Sequence, residues 1–439
     1  MKRCTFLFVL FAFLPGLAVG QGLDVAAAAD AIEPSVIEWR RDFHENPELS
    51  NREFRTAGVI AAHLESLGIE VQTGVAHTGV VGILRGGKSG PVVALRADMD
   101  GLPVVERGSL SFKSEVAAIY RGQEVGVMHA CGHDTHMAIL MGVAAILAEH
   151  RDEVAGTVKF VFQPAEEGPP EGEEGGAELM VKEGVLKNPD VDAIFGLHIW
   201  AERDIGTIGY RPRGMMAGVQ DFRIKVHGVQ AHGSAPWMGI DPVVTAAQII
   251  NGLQTIVSRS VTLTRDAAVV TVGSIHGGVR SNIIPEELEM VGTIRTFSEE
   301  DKQLVHRRIR EVANGIADAM GARVDVEIPF STSYPVTYND PVLTSAMVGS
   351  LERAAGAENV SVIDAVTGAE DFSFFANEIP GLYFFLGGKP LGQSMEDTPS
   401  HHTPDFHIDE AGMKLGVRAM LNLTLDYLNN HADMPVGGR

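Results

Sequence analysis

Apolar residues recur at helical spacing between Ile32 and Leu67, and a polar turn around Pro47 interrupts them once. This spacing is typical of helices with one buried face, so the segment is predicted to form two helices. Further along, apolar runs bounded by Gly and Pro are typical of buried strands. These runs are 80–84, 92–96, 158–162 and 194–199, with a helix predicted over 136–149. The alternation of strands and helices predicts an α/β sheet with helices on both faces.

The pattern changes after Met215. The strands predicted there are 222–226, 268–274, 287–297 and 324–330, and the helices are 242–257 and 299–320. Their order, β-α-β-β-α-β, is that of a ferredoxin-like unit. The α/β pattern then returns with a helix over 341–355, a strand over 383–386 and a helix over 410–429. We therefore predict a satellite domain, 214–331, inserted into a main domain formed by 21–213 and 332–439.

The first residues have the three zones of a secretory signal peptide. Lys2 and Arg3 precede an apolar stretch that runs to Val19, and small residues end the segment before Gln21. Because the stretch is shorter than the ~20 residues of a membrane-spanning helix, cleavage after Gly20 is preferred to a membrane anchor. We predict a protein exported to a periplasm or secreted, with the signal peptide 1–20 removed and no stable membrane insertion.

Charge and cysteine content narrow the possible functions. The chain has 439 residues, and 35 Lys and Arg stand against 57 Asp and Glu, which gives a formal net charge of -22. This charge repels phosphate backbones, so nucleic-acid binding is excluded. Cys4 lies in the predicted signal, which leaves Cys131 as the only thiol of the mature chain. In an oxidising compartment a lone cysteine is either buried and inert or bound to a metal.

The densest group of reactive side chains lies between His129 and His136. Cys131 and His133 stand two residues apart around a glycine, so a thiolate and an imidazole can point at one ion such as zinc. Asp134 and His136 are candidates for partners that orient the ligand imidazole. Taken alone, this segment indicates a metal site but does not establish one.

Further candidate ligands follow predicted strands. Glu166 and Glu167 come directly after one strand, and His198 ends another. Ligands of α/β proteins commonly gather at the carboxyl ends of strands, where one carboxylate can bind a metal and its neighbour can act as a general base. When each feature is considered alone, a surface glutamate pair is commoner than a catalytic one, and a structural histidine is commoner than a metal ligand. A further segment offers His401 or His402 as one more imidazole. Because several candidate ligands would lie at the same sheet edge, a metal site is favoured.

A series of motifs, in their order along the chain, resembles the metal-dependent amidohydrolase family of aminoacylases and carboxypeptidases. The resemblance covers nearly all of the chain after the signal and is strongest to the branch of hippurate hydrolases and auxin-conjugate (IAA-amino acid) hydrolases. The motifs are 41–44 with 46–50, 94–103, 128–136, 162–168, 196–198, 231–232, 282–285 and 368–372. The family implies a mixed-sheet, two-metal, peptidase-like catalytic domain with a satellite that mediates a homodimer.

The resemblance also implies ligands for two divalent metal ions. Zinc suits a mixed set of sulfur, nitrogen and oxygen ligands, but manganese, cobalt or nickel would also fit. His402 is preferred to His401 because the family's histidine directly precedes a small residue and a proline, here Thr403 and Pro404. The implied metal ligands are Cys131, His133, Glu167, His198 and His402.

Five more residues gain roles from the resemblance. Glu166 would be the general base, and Asp98 would support the catalytic centre beside the metal ligands. His232 of the satellite would stabilise the oxyanion of the reaction across a dimer interface. Asn282 and Arg295 would bind the free carboxylate of the substrate, although a solvated arginine in a strand is also commonplace.

These implications favour a metal-dependent enzyme that hydrolyses N-acyl amino acids. Two alternatives remain: a metallo-dipeptidase or carboxypeptidase that acts on short peptides, and a non-catalytic exported protein that binds a metal or a small ligand. A pure binding protein has no need of Glu166 beside Glu167, which argues for the enzyme. The loop 168–176 is acidic and rich in glycine, and it is predicted to be solvated or, alternatively, to narrow the entrance of the site.

Overall fold

The computed structural model describes residues 23–331 and 333–430, so the predicted signal peptide lies outside the described residues. Within these ranges, no helix combines the length and the apolarity needed to cross a membrane. The helices are α1 (Val25–Glu45), α2 (Phe54–Ser66), α3 (His133–Glu149), α4 (Gly176–Lys182), α5 (Pro242–Arg259), α6 (Glu299–Ala319), α7 (Pro341–Ala355), α8 (Phe372–Glu378) and α9 (Met413–Asn430).

The strands extend the apolar runs of the sequence and add short edge strands. They are β1 (Glu70–Val75), β2 (Gly79–Arg85), β3 (Lys88–Asp98), β4 (Ala117–Tyr120), β5 (Gln123–Gly126), β6 (Ala155–Gln163), β7 (Ala193–Asp204), β8 (Ile208–Tyr210), β9 (Arg213–Met216), β10 (Gly218–His227), β11 (Ala231–His232), β12 (Val269–Gly277), β13 (Ile283–Ile284), β14 (Glu287–Thr296), β15 (Arg323–Glu327), β16 (Ser333–Tyr334), β17 (Thr337–Asn339), β18 (Val360–Val362) and β19 (Gly381–Lys389).

The main sheet is mixed and has eight strands in the order β1-β2-β6-β3-β7-β19-β8-β18. Its centre is parallel, because β3 runs parallel to β6 and β7, and β19 runs parallel to β7. The β1–β2 and β2–β6 pairs at one side are antiparallel. The predicted α/β fold with a mixed sheet is therefore confirmed.

Helices cover both faces of this sheet, because its central strands are apolar on both sides. On one face α1, α2, α3, α7 and α9 form a core that includes Phe43, Leu140 and Leu421. On the other face α4 and α8 contribute Met180 and Phe375 to a second core. Helix α3 is buried nearly all round, since it packs between the sheet and the helices α1 and α9. Its first turn therefore lies inside the protein.

A second, antiparallel sheet has the order β12-β14-β10-β15, with β16 beside β10. Helices α5 and α6 pack on it around a separate core that includes Ile249, Leu253 and Ile309. The element order β10-α5-β12-β14-α6-β15 is the predicted β-α-β-β-α-β order. The last strand ends at Glu327 instead of residue 330, because Pro329 has no N–H for the ladder. The domain boundaries at 214 and 331 stay a prediction.

Two connections between the sheets run side by side. Strand β9 leads toward the second sheet, β17 follows the last strand of that sheet, and the two pair in antiparallel fashion. Asn339 ties the pair to the main sheet, since its side chain donates to the Tyr383 carbonyl at 2.8 Å and accepts from the Tyr383 N–H at 2.7 Å.

Candidate metal centre

The candidate site forms where strand ends of the main sheet meet the first turn of α3. Asp98 is the last residue of β3, and Glu166 and Glu167 follow the end of β6. His198 lies in β7, and His133 begins α3, three residues before the predicted start of that helix. The parallel register of β3 with β6 and β7 brings these side chains to one edge, as the sequence predicted.

The structure brings all five predicted metal ligands into one cluster. The Sγ atom of Cys131 lies 3.3 Å from Nε2 of His198 and 3.3 Å from Nε2 of His402. The same nitrogen of His402 lies 3.0 Å from Oε1 of Glu167. His133 shares one group of adjacent ligand atoms with Cys131 and His198, and another with Glu166 and Glu167. Two overlapping groups of this kind suit two neighbouring ions.

Hydrogen bonds fix the imidazoles of His133 and His198 in a form that can bind metal. Nδ1 of His133 donates to the Asp100 carbonyl at 2.8 Å, and Nδ1 of His198 donates to the Ile199 carbonyl at 2.6 Å. A proton on Nδ1 leaves a lone pair on Nε2. Within the part of the chain that the structure describes, Nε2 of His133 is buried without a hydrogen-bond partner, as expected for an atom that binds a cation. The donor set therefore fits divalent metal ions.

Two other histidines at the site have no lone pair to offer. Nε2 of His136 accepts the Ile199 N–H at 2.8 Å, so its Nδ1 donates to Oδ1 of Asp98 at 2.6 Å. Nε2 of His401 accepts the Ala201 N–H at 3.0 Å. Burial and the neighbouring His402 lower the pKa of His401 to about 3. The structure thus places His402, not His401, among the candidate ligands, in line with the sequence-based choice.

The prediction that Asp134 orients a ligand imidazole is wrong. Its carboxylate lies 2.8 Å from Nε of Arg40 and 2.8 Å from Nδ1 of His44, both on α1. The Arg40 guanidinium and the His44 hydrogen bond outweigh burial and hold the pKa of Asp134 far below its usual range. Asp134 therefore anchors α3 to α1, because the backbone carbonyl of Asp100 already holds His133.

Backbone conformations that most residues avoid position two candidate ligands. Gly132 has φ of 93°, and a Cβ at this position would lie 2.3 Å from Cγ2 of Ile199. Only glycine fits there, and it lets Cys131 and His133 face one point. His402 has φ of 62°, and its N–H donates to the Ala130 carbonyl at 2.8 Å. Such backbone strain is a recurring feature of functional sites.

The turn that carries Glu166 and Glu167 is held by two buried carboxylates that the sequence reasoning missed. Asp100 accepts the backbone N–H of Glu166 at 3.0 Å and that of Glu167 at 3.1 Å. Glu53 accepts the N–H of Ala165, whose φ is 54°, at 3.0 Å. The only sequence signal for Asp100 was its place in the motif 94–103. These bonds aim both glutamates at the cluster.

Negative groups are crowded at the cluster. Glu166 is buried, and burial together with Glu370 and Glu167 holds its pKa well above the usual range. Burial and the adjacent glutamates likewise raise the pKa of the Cys131 thiol. Burial disfavours the His133 imidazolium, but Asp98 and Asp100 outweigh it and raise its pKa to about 10. Divalent cations would neutralise these charges and displace the protons.

Asp98 lies in a buried ion-pair network behind the cluster. Its Oδ2 atom is 2.7 Å from Nη1 of Arg96 and 3.7 Å from Nε2 of His133. Nη2 of Arg96 also contacts Glu370 at 2.8 Å and Asp371 at 3.0 Å. In the sequence, the motif 368–372 shows the resemblance to the family but indicates no role for these acids. Asp98 in turn accepts a hydrogen bond from Nδ1 of His136, and Glu370 and Asp371 lie next to Glu166.

Three predicted residues lie on the second sheet or beside it, apart from the cluster. His232 in β11 is exposed, and β11 pairs with β13 next to the exposed Asn282. Arg295 is half-buried in β14. Within residues 23–331 and 333–430, none of the three belongs to a group of candidate metal ligands. Their roles stay predictions.

Comparison with known proteins identifies the family. Residues 94–426 match the model of Peptidase family M20/M25/M40. Thermostable carboxypeptidase 2 of Saccharolobus solfataricus is 40% identical over 399 residues, which cover 91% of this chain and 96% of the relative. N-acetylcysteine deacetylase of Bacillus subtilis is 37% identical over 399 residues, which cover 91% of this chain and 98% of the relative. IAA-amino acid hydrolase ILR1-like 4 of Arabidopsis thaliana is 38% identical over 394 residues, with 89% and 84% covered.

A solved structure agrees with this result. The crystal structure of the Bacillus subtilis YXEP protein, described as a dinuclear metal-binding peptidase from the M20 family, is 35% identical. It superimposes with a TM-score of 0.74 over 91% of this chain and 99% of that chain. The predicted resemblance is confirmed at the level of the family, whereas the hippurate hydrolase branch is not singled out. The chain belongs to peptidase family M20/M25/M40 and is a metal-dependent hydrolase that acts on amide bonds.

Proposed function

We propose that the protein is a dinuclear amidohydrolase that cleaves the amide bond of N-acyl amino acids and releases the free amino acid. The position of Glu166 carries this proposal. Its carboxylate is buried, and Oε2 lies 3.9 Å from Nε2 of the candidate ligand His133. A second glutamate beside a ligand is unnecessary for binding metal but is needed for moving a proton. Relatives named for N-acetylcysteine and IAA-amino acids support the substrate class.

The proposed mechanism divides the work among neighbouring side chains. Cys131, His133, Glu167, His198 and His402 would hold two divalent ions, zinc or alternatively manganese, cobalt or nickel. When bound, these ions would polarise the scissile carbonyl and lower the pKa of water.

Glu166 would then accept a proton from the attacking water and deliver it to the departing amine. Asp100 keeps the Glu166 backbone in place, and the Tyr334 hydroxyl donates to the Glu166 carbonyl at 3.2 Å. The carboxylate of Glu166 can therefore move a proton without moving the turn.

We also propose a homodimer in which the ferredoxin-like satellite forms the contact. His232 would reach the partner's site and stabilise the oxyanion, while Asn282 and Arg295 would bind the substrate carboxylate. Exposed apolar side chains close to His232 in the chain support this proposal. Trp237 is 78% exposed and Met238 is 71% exposed. A surface of this kind is typical of a protein contact.

Export through the signal peptide 1–20 to the periplasm or the medium belongs to the same proposal.

A complementation experiment tests the shared site. Glu166→Gln and His232→Ala homodimers are each expected to be nearly inactive, since an oxyanion contact is typically worth ~10² to 10³ in rate. After the two variants are unfolded together and refolded, mixed dimers should contain one complete site, and activity should return to about a quarter of the wild-type value. Sedimentation should show dimers throughout. Absence of recovery in sedimenting dimers would contradict the shared site, and a monomeric wild type would contradict the dimer.

Metal removal tests the function directly. The mature protein is expected to release amino acids from N-acetyl and N-benzoyl amino acids, and dialysis against a chelator should abolish this release. Zinc, manganese, cobalt or nickel should restore it after add-back, because the ligand set accepts each of them. Dipeptides in the same panel test the alternative function, that of a dipeptidase or carboxypeptidase. The carboxypeptidase relative supports this alternative. Chelator-resistant turnover would refute the metal mechanism, and turnover of dipeptides alone would establish the alternative.

A further inference from the structure

An exposed loop that follows β10 carries His232, and hydrogen bonds fix the shape of this loop. At its base, Val229 and Ile240 exchange backbone hydrogen bonds at 2.9 and 3.1 Å. Inside the loop, the Ala235 N–H donates to the His232 carbonyl at 2.8 Å, and Pro236–Met238 forms a turn of 3₁₀ helix. The backbone of His232 is therefore held in one place although its side chain is exposed.

The same loop is tied to the segment that carries Asn282. Strand β11 pairs with β13, and His232 stands opposite Ile283 in this ladder. The Gly233 N–H donates to the Asn282 carbonyl at 2.8 Å. A Cβ at Gly233 would lie 3.1 Å from the carbonyl carbon of Asn282, so the two backbones approach closely with no side chain between them. The two residues that the proposed function places on the substrate thus belong to one unit.

The imidazole of His232 is held by the residue two positions further along the chain. The Ser234 backbone N–H donates to Nδ1 of His232 at 3.1 Å, and the Ser234 hydroxyl lies 2.8 Å from the same nitrogen. Because a backbone N–H can only donate, Nδ1 must carry a lone pair. The hydroxyl can turn its hydrogen and then donates to Nδ1 as well. Two donors from one residue thus meet at one ring nitrogen.

This contact decides which form of the imidazole is present. A neutral imidazole carries a single N–H, and with the lone pair on Nδ1 this N–H is on Nε2. The opposite tautomer would place a hydrogen on Nδ1 against the Ser234 N–H. Among the residues that the structure describes, no group forms a hydrogen bond with Nε2 of His232. The Nε2–H group is therefore a donor that is open to a ligand from outside the loop.

An oxyanion contact requires this form of the imidazole. The carbonyl oxygen of the amide becomes negative in the tetrahedral intermediate, and a donor that is placed in advance stabilises it without rearrangement. The opposite tautomer would present the lone pair of Nε2 to this oxygen and would repel it. A freely rotating imidazole would have to be ordered during the reaction, which would lower the rate. The bonds from Ser234 restrict both the tautomer and the rotation of the ring.

We infer that Ser234 is a positioning residue that holds His232 in the Nε2–H tautomer and directs this N–H toward the oxyanion. The inference rests on the proposed function, in which His232 acts in the partner's site. Removal of the Ser234 hydroxyl should lower kcat about three- to tenfold, which corresponds to the loss of one net hydrogen bond. KM should change by less than about twofold, because the oxyanion forms only after the substrate has bound.

Two measurements test the role of Ser234. The first is nitrogen NMR of the zinc-loaded protein with isotope-labelled histidine at about pH 8.5, where an ordinary histidine is neutral. The signal of His232 is identified by its loss in His232→Ala. In Ser234→Ala the opposite tautomer should become measurable, because only the backbone N–H still opposes it.

The second measurement is kcat and KM for N-acetyl amino acids. Ser234→Thr keeps the hydroxyl, so it should restore the kcat that Ser234→Ala loses. Ser66→Ala is the matched control, because Ser66 is an exposed serine at the end of α2 whose hydroxyl donates to the His63 carbonyl at 2.6 Å. It should keep the kcat and the KM of the unmodified protein.

The outcomes separate this inference from the proposed function. A hydrogen on Nε2 of His232, with a loss of kcat in Ser234→Ala that Ser234→Thr restores, would support the inference. A hydrogen on Nδ1, or full kcat in Ser234→Ala while His232→Ala is nearly inactive, would overturn it. Full activity in His232→Ala would refute the oxyanion role itself, and the inference would fail with it. If no N-acyl amino acid is cleaved, the proposed function fails, and the NMR comparison alone decides whether Ser234 fixes the tautomer.

Discussion

Glu166→Gln is expected to lower turnover by about 10² to 10⁴-fold while the protein keeps its metal, because the amide cannot accept the proton of the attacking water. The substitution preserves the shape of the side chain and the backbone bonds to Asp100, so the turn should stay in place. Release of amino acid from N-benzoylglycine and metal content by mass spectrometry are the two measurements.

Glu378→Gln is the matched control for this variant. Glu378 is exposed at the end of α8, and its charge is removed by the same chemical change. It should retain full turnover and full metal content. Turnover close to wild type in Glu166→Gln would show that another group is the base. Loss of metal together with turnover would instead make Glu166 a ligand, which would reassign the pair of glutamates.

Arg96→Met is expected to lower the free energy of unfolding by about 3 to 5 kcal/mol, as is typical when one partner of a buried ion pair is removed. Arg96 is fully buried and contacts Asp98, Glu370 and Asp371, while its Nε donates to Gln163 at 2.7 Å. Without the guanidinium, these acids would be buried beside Glu166 with no arginine to balance their charges. The acids could reduce the energetic cost of their buried charge only by taking up protons or by drawing in water.

Urea denaturation of the metal-free protein measures this effect without the contribution of bound ions. Arg85→Met is the control, because Arg85 is an exposed arginine on β2 that pairs with Glu70 at 3.3 Å. An exposed pair is typically worth at most ~1 kcal/mol, so this variant should unfold close to wild type. A similar small effect in Arg96→Met would show that the buried acids are already neutral or hydrated, and that the network does not depend on its arginine.

The candidate ligands could be predicted because each stands in a local pattern that points to chemistry. Cys131 and His133 lie in one dense segment, and Glu167 and His198 follow or end apolar runs. The edges of the main sheet were harder to predict. Strands β8 and β18 have three residues each, which is too short for a recognisable period. Their position depends on pairing with β19 and with each other, not on their own sequence.

The supporting residues were missed for a different physical reason. Asp100 acts on backbone N–H groups that are 66 and 67 residues away, and Arg96 meets partners 274 and 275 residues away. Contacts between residues this far apart in the chain produce no regular spacing that a single sequence could reveal. The role predicted for Asp134 was wrong for the same reason. The prediction relied on its neighbours along the chain, whereas its partners Arg40 and His44 are distant in the sequence.

The paired connections β9 and β17 have a mechanical consequence. Because hydrogen bonds join the two strands, a reorientation of the second sheet would move both of them together. Tyr334 stands three residues before β17, and its hydroxyl donates to the backbone carbonyl of Glu166. Such a movement would also displace the Tyr334 hydroxyl relative to the turn that carries Glu166. The position of the second sheet is thus coupled to the Glu166 backbone through one hydrogen bond.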